Sequence, residues 1–244
     1  MLPRKHNRPA RQRWLEWRRM LAVRQDSAHR ARVNLEEMRR NYASRSLDQA
    51  DLQPDPCGQF DTWMREAIET QVLEPNAMSL ATVSAAGTPS LRTVLLKGFD
   101  ARGFVFYTNY HSNKARDIAA NPAVALLFAW LPLERQVTVT GRAEKISATE
   151  SLKYFLSRPR ESQIGAWASR QSEVITTRSL LEGKFAEMKQ KFLHGEVPLP
   201  DFWGGYRVTP ATFEFWQGRP SRLHDRFRYA RQPDGRWQIE RLMP

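Results

Sequence analysis

Apolar and polar positions recur along this chain with two different periods, and the switches between them mark out its elements. Around residues 59–72, Phe60, Trp63, Met64, Ala67 and Ile68 fall on one face at helical spacing. Strand-like runs follow at Met78–Ser84 and Leu91–Gly98, parted by Ala-Ala-Gly-Thr-Pro, a turn composition. Phe99 to Gly103 then turns the chain into Phe104–Thr108, so these three runs read as a meander. A short helix near 113–120 stops at Asn121-Pro122. Val124–Trp130 and Gln136–Ile146 supply two further strands, the second setting Val137 and Val139 against Thr138 and Thr140.

Beyond them, Ser147-Ala148-Thr149-Glu150 has the capping-box spacing and opens a helix to about Ser157, which Pro159 would end. A longer helix over about 177–194 carries Leu181, Phe185, Met188 and Phe192 on one stripe, with Gly195 as its stop. Strands return at Thr212–Gln217, Arg226–Ala230 and Arg236–Leu242, the last two joined at Pro233-Asp234-Gly235. No internal repeat is visible. About seven strands in mostly hairpin order, with helices between them, predict one α+β domain, mainly β, built on an antiparallel barrel.

Composition changes this picture little. Eight Trp and 12 Phe in 244 residues are ample for a buried core. The longest apolar run, Ala123 to Leu131, is far short of the roughly 20 residues that span a bilayer. One cysteine, Cys57, leaves no internal disulfide framework and points to a reducing, cytoplasmic setting. Charge adds more. Residues 1–32 hold ten Lys or Arg against two acids, a net +8 of the formal +12, so the basic excess sits in an N-terminal extension of about 34 residues. That extension reads as a flexible tail. A targeting peptide, a nucleic-acid arm and a true start at Met20 or Met38 fit its composition equally.

Several chemistries are missing. There is no G-x-G-x-x-G, no Walker phosphate loop and no G-x-S-x-G elbow, and the five histidines show no metal-ligand spacing. An enzyme built this way would borrow an organic cofactor. Three clusters stand out instead. In an extended chain Arg222, His224 and Arg226 share a face, which suits an anionic or electron-rich ligand. Tyr154 and Arg158 are four apart on one helix, with Arg160 and Ser162 just past Pro159; hydroxyls beside guanidinium groups suit a phosphate monoester, and equally a solvated face. Arg92 and Lys97 bracket an apolar strand and should face opposite sides, serving different groups. Lys114 opens a short helix whose terminal amides could help hold an anion. Gln136, Gln171 and Ser172 read, unaided, as satisfied core polar groups.

Taken together, these segments resemble the pyridoxine/pyridoxamine 5'-phosphate oxidase family. The most specific stretch is Phe213 to Arg226, F-E-F-W-Q-x4-R-L-H-D-R; also similar are RTVLLKGFD, FVFYTN, LERQV, KYFLSRPRESQIGAWAS, HGEVPLP and DFWGGYRV. The likeness runs from about Met38 to Pro244. It implies an FMN-binding split β-barrel with flanking helices, a homodimer with FMN at the subunit interface, and oxidation of pyridoxine and pyridoxamine 5'-phosphates to pyridoxal 5'-phosphate with O2 as acceptor. Neither a membrane nor a nucleic acid is an expected partner. A related flavin oxidase for another aromatic substrate, and a non-catalytic flavin or pyridoxal-phosphate binder, are the alternatives.

The resemblance also implies roles. FMN contacts would come from Arg92, Thr93, Val94, Leu95, Leu96, Lys97, Tyr107, Thr108, Lys114, Gln136, Gln171, Ser172, Trp216 and Arg226. Lys97, Tyr154, Arg158 and Ser162 would surround the substrate phosphate. Arg222 and His224, the expected catalytic pair, would lie over the pyridine ring beside Leu223. Arg39, Arg40 and Tyr42 match an N-terminal segment, 35–58, that closes over the site in the family, ahead of an oxidase domain at 59–244. Two positions depart from the pattern. Asn113 stands where the family usually has Arg before the lysine, with Arg116 as a conceivable substitute, and Asn41 replaces a common acid.

Overall fold

In the computed structural model the described residues are Leu35, 41–43 and 45–244; the expectations placed on 1–34, Arg39 and Arg40 lie outside them. Chain contacts separate 1–40 from 41–244, and everything below concerns the second unit.

Helix α1 (Pro56–Glu69) starts where Pro56 needs no hydrogen-bond acceptor and the Asp55 carboxylate takes the Gly58 N–H. It buries Phe60, Trp63, Met64 and Ala67, whereas Ile68 falls on the flank of that stripe and stays exposed. Nine strands then form one antiparallel sheet: β1 (Ala77–Val83), β2 (Pro89–Leu95), β3 (Gly98–Asp100), β4 (Gly103–Asn109), β5 (Ala123–Trp130), β6 (Arg135–Lys145), β7 (Trp203–Gln217), β8 (Asp225–Arg231) and β9 (Trp237–Arg241). Their order is β2-β1-β5-β6-β7-β4-β3, and β8 and β9 continue from β7. The sheet curls into an α+β split barrel around Phe60, whose ring meets those of Phe99, Phe104 and Phe128 edge-on at 4.8–4.9 Å.

Strand β7 organises the molecule. One of its sides pairs with β6; the other pairs with β4 through Trp203–Val208 and with β8 through Thr212–Gln217. Between those two partners sits Pro210, which has no N–H to leave unpaired. Here β6 shifts register at Thr140/Gly141, and a Cβ on Gly141 would strike the Thr209 carbonyl, so only glycine permits this approach. The strand thus begins nine residues before the expected Thr212.

Four more helices flank the barrel: α2 (Asn113–Ala120), α3 (Ala148–Ser157), α4 (Arg160–Ala168) and α5 (Arg178–Lys191). Ser112 caps α2, and the Ser147/Glu150 box caps α3. Helix α4 is an element the sequence did not announce: Pro159 ends α3, as expected, and at the same time occupies the N-cap of α4. A second, smaller core of Phe155, Ile164, Phe192, Val197 and Trp203 fixes the helices to the first half of β7.

Candidate active site

A cavity of about 830 Å³ opens between β2, β4, the start of β7 and helices α2 to α4, within the usual range of ligand sites. Arg92, Thr93, Val94, Leu95, Lys97, Tyr107, Thr108, Lys114, Tyr154, Arg158, Ser162, Gln171 and Ser172 all line it. Thirteen positions drawn from six separate stretches of sequence therefore converge on one space. Arg92 and Lys97 do so together, contrary to the expectation of opposite faces. The strand ends at Leu95, so the alternation lapses before Lys97. Leu96 does not line the cavity: its side chain is buried in the main core, and its N–H and carbonyl are taken by Asn76.

Two cations, Lys114 and Arg158, are held differently within this space. Around Lys114 the donors and acceptors are neutral: its Nζ lies 3.1 Å from Thr108 Oγ1, 3.0 Å from Gln171 Oε1 and 3.4 Å from Ser112 Oγ. Burial, aided by the Arg92 charge, holds the Lys114 ammonium down to about 8. Arg92 is braced from beneath: its Nη1 donates to the Leu80 carbonyl and Thr82 Oγ1, and Asp117 lies 3.9 Å from Nη2. Asn113 N–H donates to Ser172 Oγ, and the Asn113 side chain accepts from Arg116, which also reaches the His111 carbonyl. The Asn113 departure therefore carries a guanidinium beside the cavity, though Arg116 does not line it. Gln171 and Ser172 are exposed loop residues, not core polar groups; Ser172 adopts φ 74°.

Across the cavity, Arg158 sits at the C-cap of α3, one residue past the helix proper. Its guanidinium lies 4.7 Å from the centroid of Trp203, and its Nη1 is buried with no hydrogen-bond partner. A buried donor left unpaired costs roughly 1–3 kcal/mol, more when charged. Tyr154 and Tyr107 stack at 3.9 Å, and Trp203 continues the stack 5.4 Å from Tyr107. Trp203 is a lining residue that sequence reasoning overlooked; the signal was an aromatic next to Gly204-Gly205, where side chains would strike Tyr110 and Tyr107. Arg160 turns away, donating to the Phe192 and Gly195 carbonyls beyond α5.

The remaining expected residues form a second group at the other end of β7. Trp216 stands opposite Gln136 on β6 and Arg226 on β8. Its ring is 4.6 Å from His224 and 5.8 Å from Tyr42, which also lies 5.8 Å from His224. The expected shared face of Arg222, His224 and Arg226 does not exist. Pro220–Arg222 form a 3-10 turn in which Ser221 and Arg222 have φ 56° and 62°, so only Arg226 is on a strand. Arg226 is bound to Glu214 at 2.8 Å and to the Met243 carbonyl. Arg222 and Leu223 are exposed. His224 Nδ1 accepts the Arg219 N–H at 3.1 Å, which leaves the ring proton on Nε2. Burial and the Arg222 charge lower the His224 pKa, opposed by Asp225.

None of Gln136, Trp216, Arg222, Leu223, His224, Arg226 or Tyr42 lines the cavity. Trp203 at its wall and Trp216 in the second group are 13 residues apart on β7, about 40 Å of strand.

Comparison with known proteins adds a family. Residues 64–192 match the family model described as pyridoxamine 5'-phosphate oxidase, and 203–244 match that of the pyridoxine 5'-phosphate oxidase C-terminal dimerisation region. The chain is 61% identical over 212 residues to pyridoxine/pyridoxamine 5'-phosphate oxidase of Rippkaea orientalis, spanning 87% of this chain and all of that one. Its Vibrio cholerae counterpart is 53% identical over the same shares. Among solved structures, PhzG from Burkholderia lata, in complex with tetrahydrophenazine-1-carboxylic acid, superposes with a TM-score of 0.78 at 29% identity. That match covers 83% of this chain and all of the other. An FMN-binding protein of Nostoc punctiforme shares the fold, with a TM-score of 0.64 at 16% identity over 78% and 98% of the two chains.

Proposed function

The chain belongs to the pyridoxine/pyridoxamine 5'-phosphate oxidase family, and from that membership we propose how its two groups of residues act together. The reaction is oxidation of pyridoxine 5'-phosphate and pyridoxamine 5'-phosphate to pyridoxal 5'-phosphate, with FMN as cofactor. The observation that carries the reading is the pair of anion sites in one cavity, each with a cation that no carboxylate neutralises among the described residues: Lys114 on one side and Arg158 on the other.

These residues fit FMN. Lys114, Thr108, Ser172, Gln171 and Arg92 would hold its phosphate, and the backbone and side chains of Thr93 to Leu95 would flank its ring. FMN, when bound, supplies the two-electron acceptor for the substrate's C4' carbon. Arg158, Tyr154, Ser162 and Lys97 would take the substrate phosphate, so binding energy far from the reacting carbon aligns it. Trp216, Arg226 and Gln136 would complete the flavin site, and Arg222, Leu223 and His224 would cover the substrate ring. In one chain these lie too far along β7 to do so. The family's dimerisation region spans all of them except Gln136, which pairs with Trp216 from β6, and a second copy would bring its own set over the first copy's cavity, with FMN between subunits. Strand β2 lies at an edge of the sheet with Leu91 exposed, which supports that arrangement.

In this scheme the protein positions two flat rings at reaction distance, which can supply much of the rate enhancement. His224, neutral and donating through Nε2, orients the substrate and is not required as a base. Each substrate gives up two electrons and two protons, which O2 takes as hydrogen peroxide; the alcohol becomes the aldehyde directly, and the amine becomes an imine that water hydrolyses to the aldehyde and ammonia. A cytoplasmic location accords with the single cysteine, and among the described residues no helix is long and apolar enough to cross a membrane. The test is to record the visible spectrum of the purified protein, add pyridoxine 5'-phosphate in air and follow peroxide and pyridoxal 5'-phosphate together. Flavin bands with matched formation of both products is the expected result. Flavin bands without turnover would move the substrate to another aromatic compound.

A further inference from the structure

The chain ahead of α1 and the loop between β7 and β8 are joined through one carboxylate, that of Asp225. Its Oδ2 accepts the Leu47 N–H at 3.1 Å and lies 3.4 Å from Arg219 Nε; its Oδ1 is 3.2 Å from Arg241 Nη1. Both arginines continue to the same segment. Arg219 Nη1 donates to the Arg45 carbonyl at 3.0 Å, and Arg241 Nη2 bonds Asp48 at 2.5 Å. Leu47, between these ties, is buried in the main core. A few residues upstream, Tyr42 rests on Gly218, where a Cβ would strike its ring, and meets Trp216 and His224 edge-on.

We propose that Asp225 is a positioning residue for the oxidase reaction: it clamps residues 45–48 to the β7–β8 loop and so holds Tyr42 on Trp216 and His224. The chemistry favours a carboxylate there. An amide could accept the Leu47 N–H but could not pair with two guanidinium groups at once. The Asp225 side chain is only 14% exposed, so the pairs are shielded from solvent in part. Its neighbour also needs the restraint. Ser221 and Arg222 both hold left-handed backbone conformations that non-glycine residues adopt at a cost, and such strain persists only where surrounding contacts enforce it. Asp225 and Arg219, whose N–H fixes His224, flank those two residues. Asp225 touches neither the cavity nor a reacting atom; it acts through Tyr42 and His224.

The proposal rests on the oxidase reading above, and the test separates the two. In the full-length, FMN-loaded protein, amide hydrogen exchange at Leu47 is compared between wild type and Asp225→Ala, with no turnover involved. Exchange about tenfold faster or more is expected on losing the acceptor. In parallel, kcat/KM is measured for Asp225→Ala, Tyr42→Ala and the double variant. Each single change should cost about 10- to 100-fold. The double should cost no more than about threefold beyond the worse single, because both break one arrangement. Bound FMN should stay within about twofold of wild type, since neither Asp225 nor Tyr42 is among the residues assigned to hold it. If Asp225→Ala does not fold, Asp225→Asn carries the kcat/KM readouts with smaller effects, while the Leu47 N–H keeps an acceptor and exchanges as in wild type. Unchanged exchange at Leu47 in Asp225→Ala, a kcat/KM within about twofold of wild type, or losses that multiply in the double would each overturn the proposal. A wild-type protein without oxidase turnover would instead overturn the functional reading, and the exchange result would still decide whether Asp225 is the clamp.

Discussion

The two ends of β7 hold their cations in opposite ways. At the Trp203 end, Lys114 is surrounded by hydroxyl and amide oxygens, Arg158 lies against an indole face with one nitrogen unpaired, and Lys97 has no ion pair among the described residues. At the Trp216 end nearly every arginine has its carboxylate: Arg226 with Glu214, Arg219 with Asp225, Arg135 with Glu66, Arg241 with Asp48 and Asp225. Arg222, exposed, has no carboxylate partner among the described residues. The difference teaches how to separate a site that receives an anion from one that merely contains charge. A cation already neutralised, such as Arg92 beside Asp117 or Arg226 beside Glu214, can touch a ligand but brings little uncompensated charge to it. A cation desolvated without a counter-ion is poised for a ligand.

That contrast breaks down if the Trp216 end binds as strongly as it orients. Replacing Arg222 by Ala should lower kcat/KM by about 100-fold or more while bound FMN stays within about twofold; equal losses of both would erase the division. The next largest effect belongs to the other end. Lys114→Met should weaken FMN binding by about 30- to 100-fold, as removal of a buried charge partner does, measured by flavin fluorescence titration of the apoprotein. An unchanged affinity would mean that Arg92 alone holds the phosphate. Arg158→Ala should raise KM for phosphorylated substrate by about 10- to 30-fold with kcat little changed, the mark of binding shared by ground and transition states.

Smaller still, and sharper, is a pH effect. The Lys114 ammonium of the unliganded protein loses its proton near pH 8. An anion needs the protonated form, so FMN affinity should hold below pH 8 and fall above it, by about tenfold at pH 9. Lys114→Arg should flatten that dependence. The same group predicts the opposite trend for folding of the empty protein. Its folded pKa lies below its unfolded one, so the unfolded chain binds more protons between pH 8 and about 10.5, and stability gained from this group rises across that window. Opposed slopes in binding and in thermal melts would identify Lys114 as their common origin.

Much of this was legible before any coordinates. The Ser147 cap, the short helix at 113–120, the α1 stripe apart from Ile68 and the Val137/Val139 alternation each depend on neighbours in sequence, and each forms where expected. What escaped notice depends on partners elsewhere. The first half of β7 contains Gly204, Gly205 and Pro210, residues that weaken a strand signal; the fold needs them for close approach and for the gap between β4 and β8. Helix α4 was hidden because Pro159 serves two helices. Among site residues, the thirteen in the cavity were named by resemblance, and no spacing rule would have gathered them. The shared face drawn for Arg222, His224 and Arg226 failed because left-handed residues at Ser221 and Arg222 interrupt the extended chain, a conformation that neither residue type advertises.

The pairing of β4 with β7 sets a schedule. Asn109 finds its partner in Trp203, and the cavity between them draws its floor from residues made early and a wall from residues made late. A growing chain on the ribosome therefore possesses the lysine, the hydroxyls and both tyrosines long before it possesses the indole that Arg158 rests on. The complete flavin cavity therefore exists only once the first 203 of the 244 residues have been made.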